Sequence, residues 1–277
     1  MEEPRDVRSI PAEELVNVLH FISGLKGIDL SSYRQNFCFR HLRGRLQDTD
    51  CFSGPEYINY IKKNRGEIDR FLDDLSINVT HFFRDREVFE SFKTNALDEI
   101  IKKKSAAEKG LIRIWSAACA TGQEPYSLAI MLAEALRGKP GIMVKIRATD
   151  VDSDALAKAA EGVYEGRDFR EIDKKLLEKY FEPVYNGKYS VRDDIRKMVK
   201  FEKHNLITDD ALRFIDIIFC RNVMIYFTRE QQDMLIEKFY GSLTAGGYLV
   251  IAKVECIWKK GLFSAVDACN KIYQKAA

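Results

Sequence analysis

The sequence predicts an α/β domain preceded by a smaller all-helical one, and three observations predict it. Apolar residues recur at helical spacing from about Pro11 to Leu75, with no convincing strand. An apolar strand then runs into a tight turn and a helix, IRIWSAACATGQEPYSLAIML, from Ile112 to Leu132. Beyond it strands and helices alternate, as parallel βαβ units require. The Ile112–Leu132 segment has the form of a nucleotide-type binding fold, in which a strand delivers a loop whose backbone meets a ligand at the following helix N-terminus. Just ahead of it, NVTHFFRD from Asn78 to Asp85 places Asn, Thr and Arg where they can close over that ligand.

Each element follows from local pattern. The helical region is broken at Gly24 to Ser32 and at Ser53 to Pro55, giving several short helices. Helical spacing resumes from Asp85 through Lys104, and the polar stretch Lys102 to Gly110 leads into a strand at Leu111 to Trp115. A second strand fits Val144 to Thr149, ending at Asp150, with a helix at Ser153 to Glu161. Apolar segments at Met198 to Phe201, Phe214 to Cys220 and Tyr248 to Ala252 supply three more strands, with a helix from Arg229 to Ser242 between the last two. Lys271 to Lys275 is a final strand. The irregular stretch from Tyr164 to Lys200 contains Asn186-Gly187 between aromatics, a hairpin signal that predicts a small β insertion. The expected domains are therefore 1–76, helical, and 77–277, α/β, with the insertion at about 164–200.

Composition sets outer bounds. A chain of 277 residues with 46% hydrophobic and 31% charged residues can bury a sizeable core. No apolar stretch approaches the roughly 20 residues that span a bilayer, and MEEPRDVRSI lacks the apolar core of a secretory signal, so a cytoplasmic location is expected, without membrane insertion. Six scattered cysteines with no CxxC pair argue for reduced, mostly buried thiols and against a zinc site. The net charge of +2 does not mark a general nucleic-acid binder. With no heptad pattern or large apolar patch, a monomer is expected.

One local charge bias stands out. Leu30 to Gln47 holds no acidic residue, while Arg34, Arg40, Arg43 and Arg45 fall there with His41. At helical spacing Tyr33, Phe37 and Leu42 or Leu46 face inward, leaving arginines outward as a basic contact surface. The alternative is a solvated face that happens to be basic.

The turn itself constrains the ligand. A dinucleotide site wants Gly-x-Gly-x-x-Gly, but Ala118 to Pro125 offers only Gly122. S-adenosylmethionine carries no phosphate; its ribose, amino-acid end and sulfonium ask for polar side chains instead. Asp150 at a strand end suits ribose hydroxyls, although it could equally be a helix N-cap, since Asp152 and Ser153 follow.

Five motifs in order, NVTHFFRD, WSAACATGQEPYSLA, ATDVD at Ala148 to Asp152, HNL at His204 to Leu206 and DIIFCRNVMIYF at Asp216 to Phe227, resemble the chemoreceptor glutamate methyltransferase family, the CheR type. The resemblance covers nearly the whole chain. It implies a class I S-adenosylmethionine-dependent methyltransferase (Rossmann-like) domain behind the helical one, forming glutamyl methyl esters and S-adenosylhomocysteine on the cytoplasmic domains of methyl-accepting chemotaxis receptors, at the receptor arrays. Carried over residue by residue, the cofactor is expected at Asn78, Thr80, Arg84, Gln123, Glu124, Asp150, Asn205, Leu206, Arg221 and Asn222. Arg84 is the natural partner of the methionine carboxylate, because a planar guanidinium pairs two oxygens. Tyr226, with Arg221, is the candidate for orienting the substrate carboxylate, the alternative being a core tyrosine. The basic helix, through Arg40, Arg43 and Arg45, is expected to steer glutamate-rich receptor helices.

Two positions depart from the family pattern. Gln123 stands where Glu is common, losing a charge that would meet the cofactor amine, with Glu124 available to compensate. AKVECIWKK at Ala252 to Lys260 replaces a Ser-Glu-Ser stretch and keeps only the acid, Glu255. A nucleic-acid methyltransferase would place Asn/Asp-Pro-Pro-aromatic where this chain has Arg221-Asn222-Val223-Met224. A non-catalytic homologue that binds the cofactor or the receptor is the other alternative.

Overall fold

The computed structural model describes residues 6–27, 30, 33–75, 80–105 and 110–276; Asn78 lies outside them. The chain forms two compact units, residues 1–79 with Tyr226–Thr228, and residues 80–225 with 229–277.

In the first unit, α1 (Ala12–Lys26), α2 (Gln35–Asp48), α3 (Gly54–Lys63) and α4 (Gly66–Asp74) are the α-helices of the described residues. α1 stops at Gly27, whose φ of 67° is the left-handed cap that glycine adopts without strain. Ser53 caps α3 by accepting the Glu56 N–H, with Pro55 in the first turn, where its missing donor costs nothing. The inward face of α2 is Cys38, Phe39, Leu42 and Leu46. Leu42 and Leu46 face inward as expected, but Tyr33 and Phe37 are only half-buried, because Cys38 and Phe39 take the other core positions.

That packing bears on the arginines. Arg45 donates from Nε and Nη2 to the two carboxylate oxygens of Glu67, at 2.8 and 2.9 Å, and Tyr57 donates to the same carboxylate at 2.9 Å. Glu67 is only 1% exposed. Arg45 therefore neutralises a buried carboxylate, which corrects its expected place on the contact surface. Arg40 is exposed, with its guanidinium 5.6 Å from the Phe37 ring centre, and Arg43 lies 5.8 Å from that of Phe39. Tyr226 is buried in this unit, 5.1 and 5.3 Å from the rings of Tyr33 and Phe37, and its hydroxyl donates to the Leu75 carbonyl at 2.9 Å.

The second unit is built on a seven-stranded sheet. Its strands are β1 (Gly110–Ala117), β2 (Ile142–Asp150), β6 (Val199–Lys203), β7 (Ile215–Cys220), β8 (Leu243–Ile251), β9 (Phe263–Asp267) and β10 (Ile272–Lys275), in the order β6-β2-β1-β7-β8-β10-β9. The first five in that order are parallel and β10 and β9 are antiparallel additions. Strand order reverses between β1 and β7, the switch point where open α/β sheets bind ligands at the strands' carboxyl ends. β9 had no sequence signal, because its residues are largely exposed and show no apolar alternation. The helices are α5 (Arg86–Phe92), α6 (Asp98–Ser105) after a π-helical turn at Lys93–Leu97, α7 (Gln123–Ala135), α8 (Ser153–Glu161), α9 (Lys174–Tyr180), α10 (Asp193–Arg196) and α11 (Arg229–Ser242).

The insertion is a three-stranded antiparallel sheet of β3 (Val163–Tyr164), β5 (Tyr189–Val191) and β4 (Phe181–Pro183). Asn186 and Gly187, at φ 56° and 70°, make its turn with two consecutive left-handed residues. By Val199 the chain is back in the main sheet, paired with β2. Phe82 ties the insertion to the core, stacked 5.2 Å from Phe169 and edge-on to Tyr164 and Phe181 at 4.9 Å.

Candidate cofactor site

The turn after β1 is conformationally costly. Ala118, Ala120 and Gly122 all have positive φ, at 61°, 46° and 92°. A left-handed alanine costs roughly 1–2 kcal/mol, and such strain collects where function requires it. A Cβ on Gly122 would lie 2.8 Å from Ala159 Cβ and 3.0 Å from the Tyr164 hydroxyl, so only glycine fits.

Asp150 holds this turn from the neighbouring strand. Its Oδ2 accepts the Ala120 N–H at 2.7 Å and its Oδ1 the Asp152 N–H at 3.0 Å. The N-cap of α8 is Asp152, which accepts from the Asp154 and Ala155 N–H groups. Asp150 is therefore not the cap. Burial pushes its pKa up, and each oxygen retains acceptor capacity.

At the start of α7 the two acidic-type positions behave differently. Gln123 is buried, with its amide oxygen accepting from Thr121 at 2.8 Å and its NH₂ donating to Asp168 Oδ1 at 3.1 Å. A glutamate here would face the Asp168 carboxylate, so this environment suits the neutral side chain. Glu124 accepts from Ser116 Oγ at 2.8 Å and lies 3.7 Å from Arg221 Nη1. Its pKa is raised by burial, with Arg221, Ser116 and Arg84 opposing the rise.

Thr80 to Asp85 is strapped across these elements. Phe83 N–H donates to Ser127 Oγ at 2.9 Å, which in turn donates to the Gln123 carbonyl, and Phe82 N–H donates to the Asp168 carbonyl at 2.9 Å. Phe83 and Asp85 are left-handed, at φ 55° and 57°. Buried His81 lies between Glu171, 2.8 Å from Nε2, and Arg170, 2.6 Å from Nδ1; an arginine can only donate, so Nδ1 accepts and Nε2 carries the proton. Arg221, with its side chain 2% exposed, pairs with Asp85 through Nη2 and lies over the Phe89 ring. It thus joins the loop after β7 to the strap and to α7.

The remaining candidates follow from the strand ends. Asn205 Oδ1 accepts the Ile207 and Thr208 N–H groups at 2.9 and 3.3 Å, so this side chain shapes its own loop. Leu206 is buried and its carbonyl accepts from Lys238 at 2.7 Å. Asn222 is left-handed at φ 61°. Glu255 accepts from Val223 and Met224 N–H at 3.0 and 2.8 Å and from Ala252 N–H at 2.7 Å, which gives the altered loop after β8 a definite structural task. Of these contacts, those through Ser127, Asp168 and His81 had no sequence signal, since each depends on tertiary placement.

This arrangement can be set beside known proteins. The family model "CheR methyltransferase, SAM binding domain" matches residues 78–272, and "CheR methyltransferase, all-alpha domain" matches residues 13–76. The chain belongs to the CheR methyltransferase family. It is 34% identical to a chemotaxis protein methyltransferase of Borreliella burgdorferi, over 90% of each chain. It is 33% identical to chemotaxis protein methyltransferase 2 of Vibrio cholerae, over 83% of this chain and 80% of that one. Its cofactor as a CheR protein is S-adenosylmethionine.

The residues present fit that cofactor. The site offers a buried carboxylate at Asp150 and a partly buried one at Glu124, cations at Arg84 and Arg221, and a turn whose backbone strain brings Ala120 to Asp150. Arg221 Nε is buried without a hydrogen-bond partner, a spare donor among opposed charges. Carboxylates for ribose hydroxyls and an amine, and guanidinium for a carboxylate, are the complement of a zwitterionic nucleoside with no phosphate.

Proposed function

We propose that this CheR protein transfers a methyl group to the side-chain carboxylates of specific glutamates on the cytoplasmic domains of methyl-accepting chemotaxis receptors, at the receptor arrays, giving glutamyl methyl esters and S-adenosylhomocysteine. What supports this reading most is that the site is built to hold charges, not to remove a proton. Asp150 is held by backbone N–H groups, Glu124 and Asp85 face Arg221, and the one histidine in the strap, His81, is occupied on both ring nitrogens. A glutamate side chain, with a pKa of about 4.3, is already a nucleophile at neutral pH, so no general base is required.

S-adenosylmethionine, when bound, supplies the electrophilic methyl. The chain's own residues then have separate tasks. Asp150 and Glu124 accept from the cofactor's hydroxyl and ammonium donors, Arg84 pairs its carboxylate, and Thr80, Gln123, Asn205, Leu206 and Asn222 shape the walls. Arg221 keeps Asp85 and Glu124 in place, a positioning task. Tyr226 orients the substrate carboxylate only by exchanging its hydrogen bond to Leu75. Arg40 and Arg43 attract the acidic receptor helices and raise the encounter rate. The test is peptide mapping by mass spectrometry of a receptor cytoplasmic fragment incubated with the protein and S-adenosylmethionine. Methyl on glutamate side chains is expected; methyl on any other group contradicts the reading.

A further inference from the structure

We infer that Glu255 is a positioning residue for the cofactor site, its carboxylate fixing the loop after β7, from which Asn222 and Arg221 serve the site, to the end of β8. The inference rests on the reading of that loop as part of the site. Oε1 takes the N–H groups of Val223 and Met224, Oε2 takes that of Ala252, and the Asn222 N–H also favours the charged carboxylate. Consecutive backbone donors at 222, 223 and 224 are thus gathered on one internal anion, as such nests gather a bound anion. The left-handed φ of Asn222 is the conformation that lets the loop do this.

A carboxylate is an expensive choice for a turn. Glu255 is only 4% exposed and, among the described residues, pairs with no cation. Burial of a charge with only backbone partners costs more than a neutral side chain would, and its pKa is pushed up to about 7 by that burial. The cost is explained if the loop must be held to a fraction of an ångström. Without that clamp Arg221, which leaves the same loop, would lose its register on Asp85 and Glu124. The titratable group facing Glu255 is Cys220 of β7, whose thiol burial raises well above 9 and so keeps neutral. Glu255 itself is then the group whose charge changes near neutrality, and protonation removes one acceptor site from the clamp.

Calorimetric titration of the full chain with S-adenosylhomocysteine at several pH values from about 6 to about 8.5 tests this, using the unaltered protein, Glu255→Gln and Glu255→Asp, with melting curves on each sample. Expected are a loss of affinity of at least about tenfold in Glu255→Gln at the upper pH, and a steeper fall in affinity on acidification in the unaltered chain than in Glu255→Gln. Glu255→Asp, charged but too short to reach both loop and strand, is expected to bind weakly yet keep the pH dependence, and it stands in if Glu255→Gln fails to fold. Full affinity with an unchanged pH profile in the folded variants overturns the inference. Failure of the unaltered chain to bind overturns the reading of the site beneath it, and the inference with it.

Discussion

Asp150 Oδ2 accepts the backbone N–H of Ala120 at 2.7 Å, joining the end of β2 to the strained turn after β1. One carboxylate therefore builds the turn, and in the proposed site the same group also faces the cofactor. Asp150→Ala removes both tasks. We expect S-adenosylhomocysteine affinity to drop at least about tenfold and unfolding stability by about 1–3 kcal/mol, read by calorimetry and urea titration.

Gly122→Ala tests the turn without touching charge. The new Cβ would lie 2.8 Å from Ala159 Cβ at φ 92°, a conformation that L side chains avoid. Strain and overpacking together should cost about 2–4 kcal/mol in urea-induced unfolding, with cofactor affinity reduced as the turn opens.

Arg45→Ala should destabilise the helical unit rather than alter receptor selection. It leaves the Glu67 carboxylate, 1% exposed, with only the largely exposed Arg70, 3.7 Å away, as a cation, an imbalance worth up to about 3–5 kcal/mol. A lowered melting temperature with unchanged cofactor affinity is the expected result.

The pH dependence of stability carries a definite sign. Burial raises the pKa of Glu255 from 4.5 to about 7, so between those values the folded state holds a proton that the unfolded state has lost. Its stabilising contribution is fully present below about pH 4.5 and is lost as pH rises through about 7. His41 and His81, whose pKa values are lowered by burial, act in the opposite sense. The difference from Glu255→Gln isolates the effect: relative to that variant, the melting temperature of the unaltered chain should rise on going from about pH 8 to about pH 6.

Much of this was legible because the signals were local. The strand-turn-helix from Ile112, the carboxyl-terminal Asp150 of β2 and the Asn-Gly turn of the insertion all follow from short-range pattern. Helix phase was less so: in α2 two adjacent residues, Phe37 and Cys38, both suit an inward position, and neighbouring packing chose Cys38 with Phe39. The role of Arg45 was hidden because its partner Glu67 lies 22 residues away on another helix. Gln123 reads as a lost charge until Asp168, from the insertion, is seen facing it. Such pairs are set by tertiary contact and leave no trace in spacing.

Arg84→Ala and Arg43→Ala separate the two proposed surfaces. The first should weaken S-adenosylhomocysteine binding by about tenfold or more, with receptor encounter unaffected. The second should leave cofactor affinity intact while lowering the rate of receptor methylation and flattening its dependence on salt.

The most direct measurement is methyl transfer from methyl-labelled S-adenosylmethionine to chemoreceptor cytoplasmic fragments, followed by alkali treatment and counting of volatile methanol. Base-labile label on the receptor is the predicted result, since only a carboxyl methyl ester releases methanol under those conditions. Cofactor binding on the same sample with no base-labile label on any receptor fragment would contradict the account.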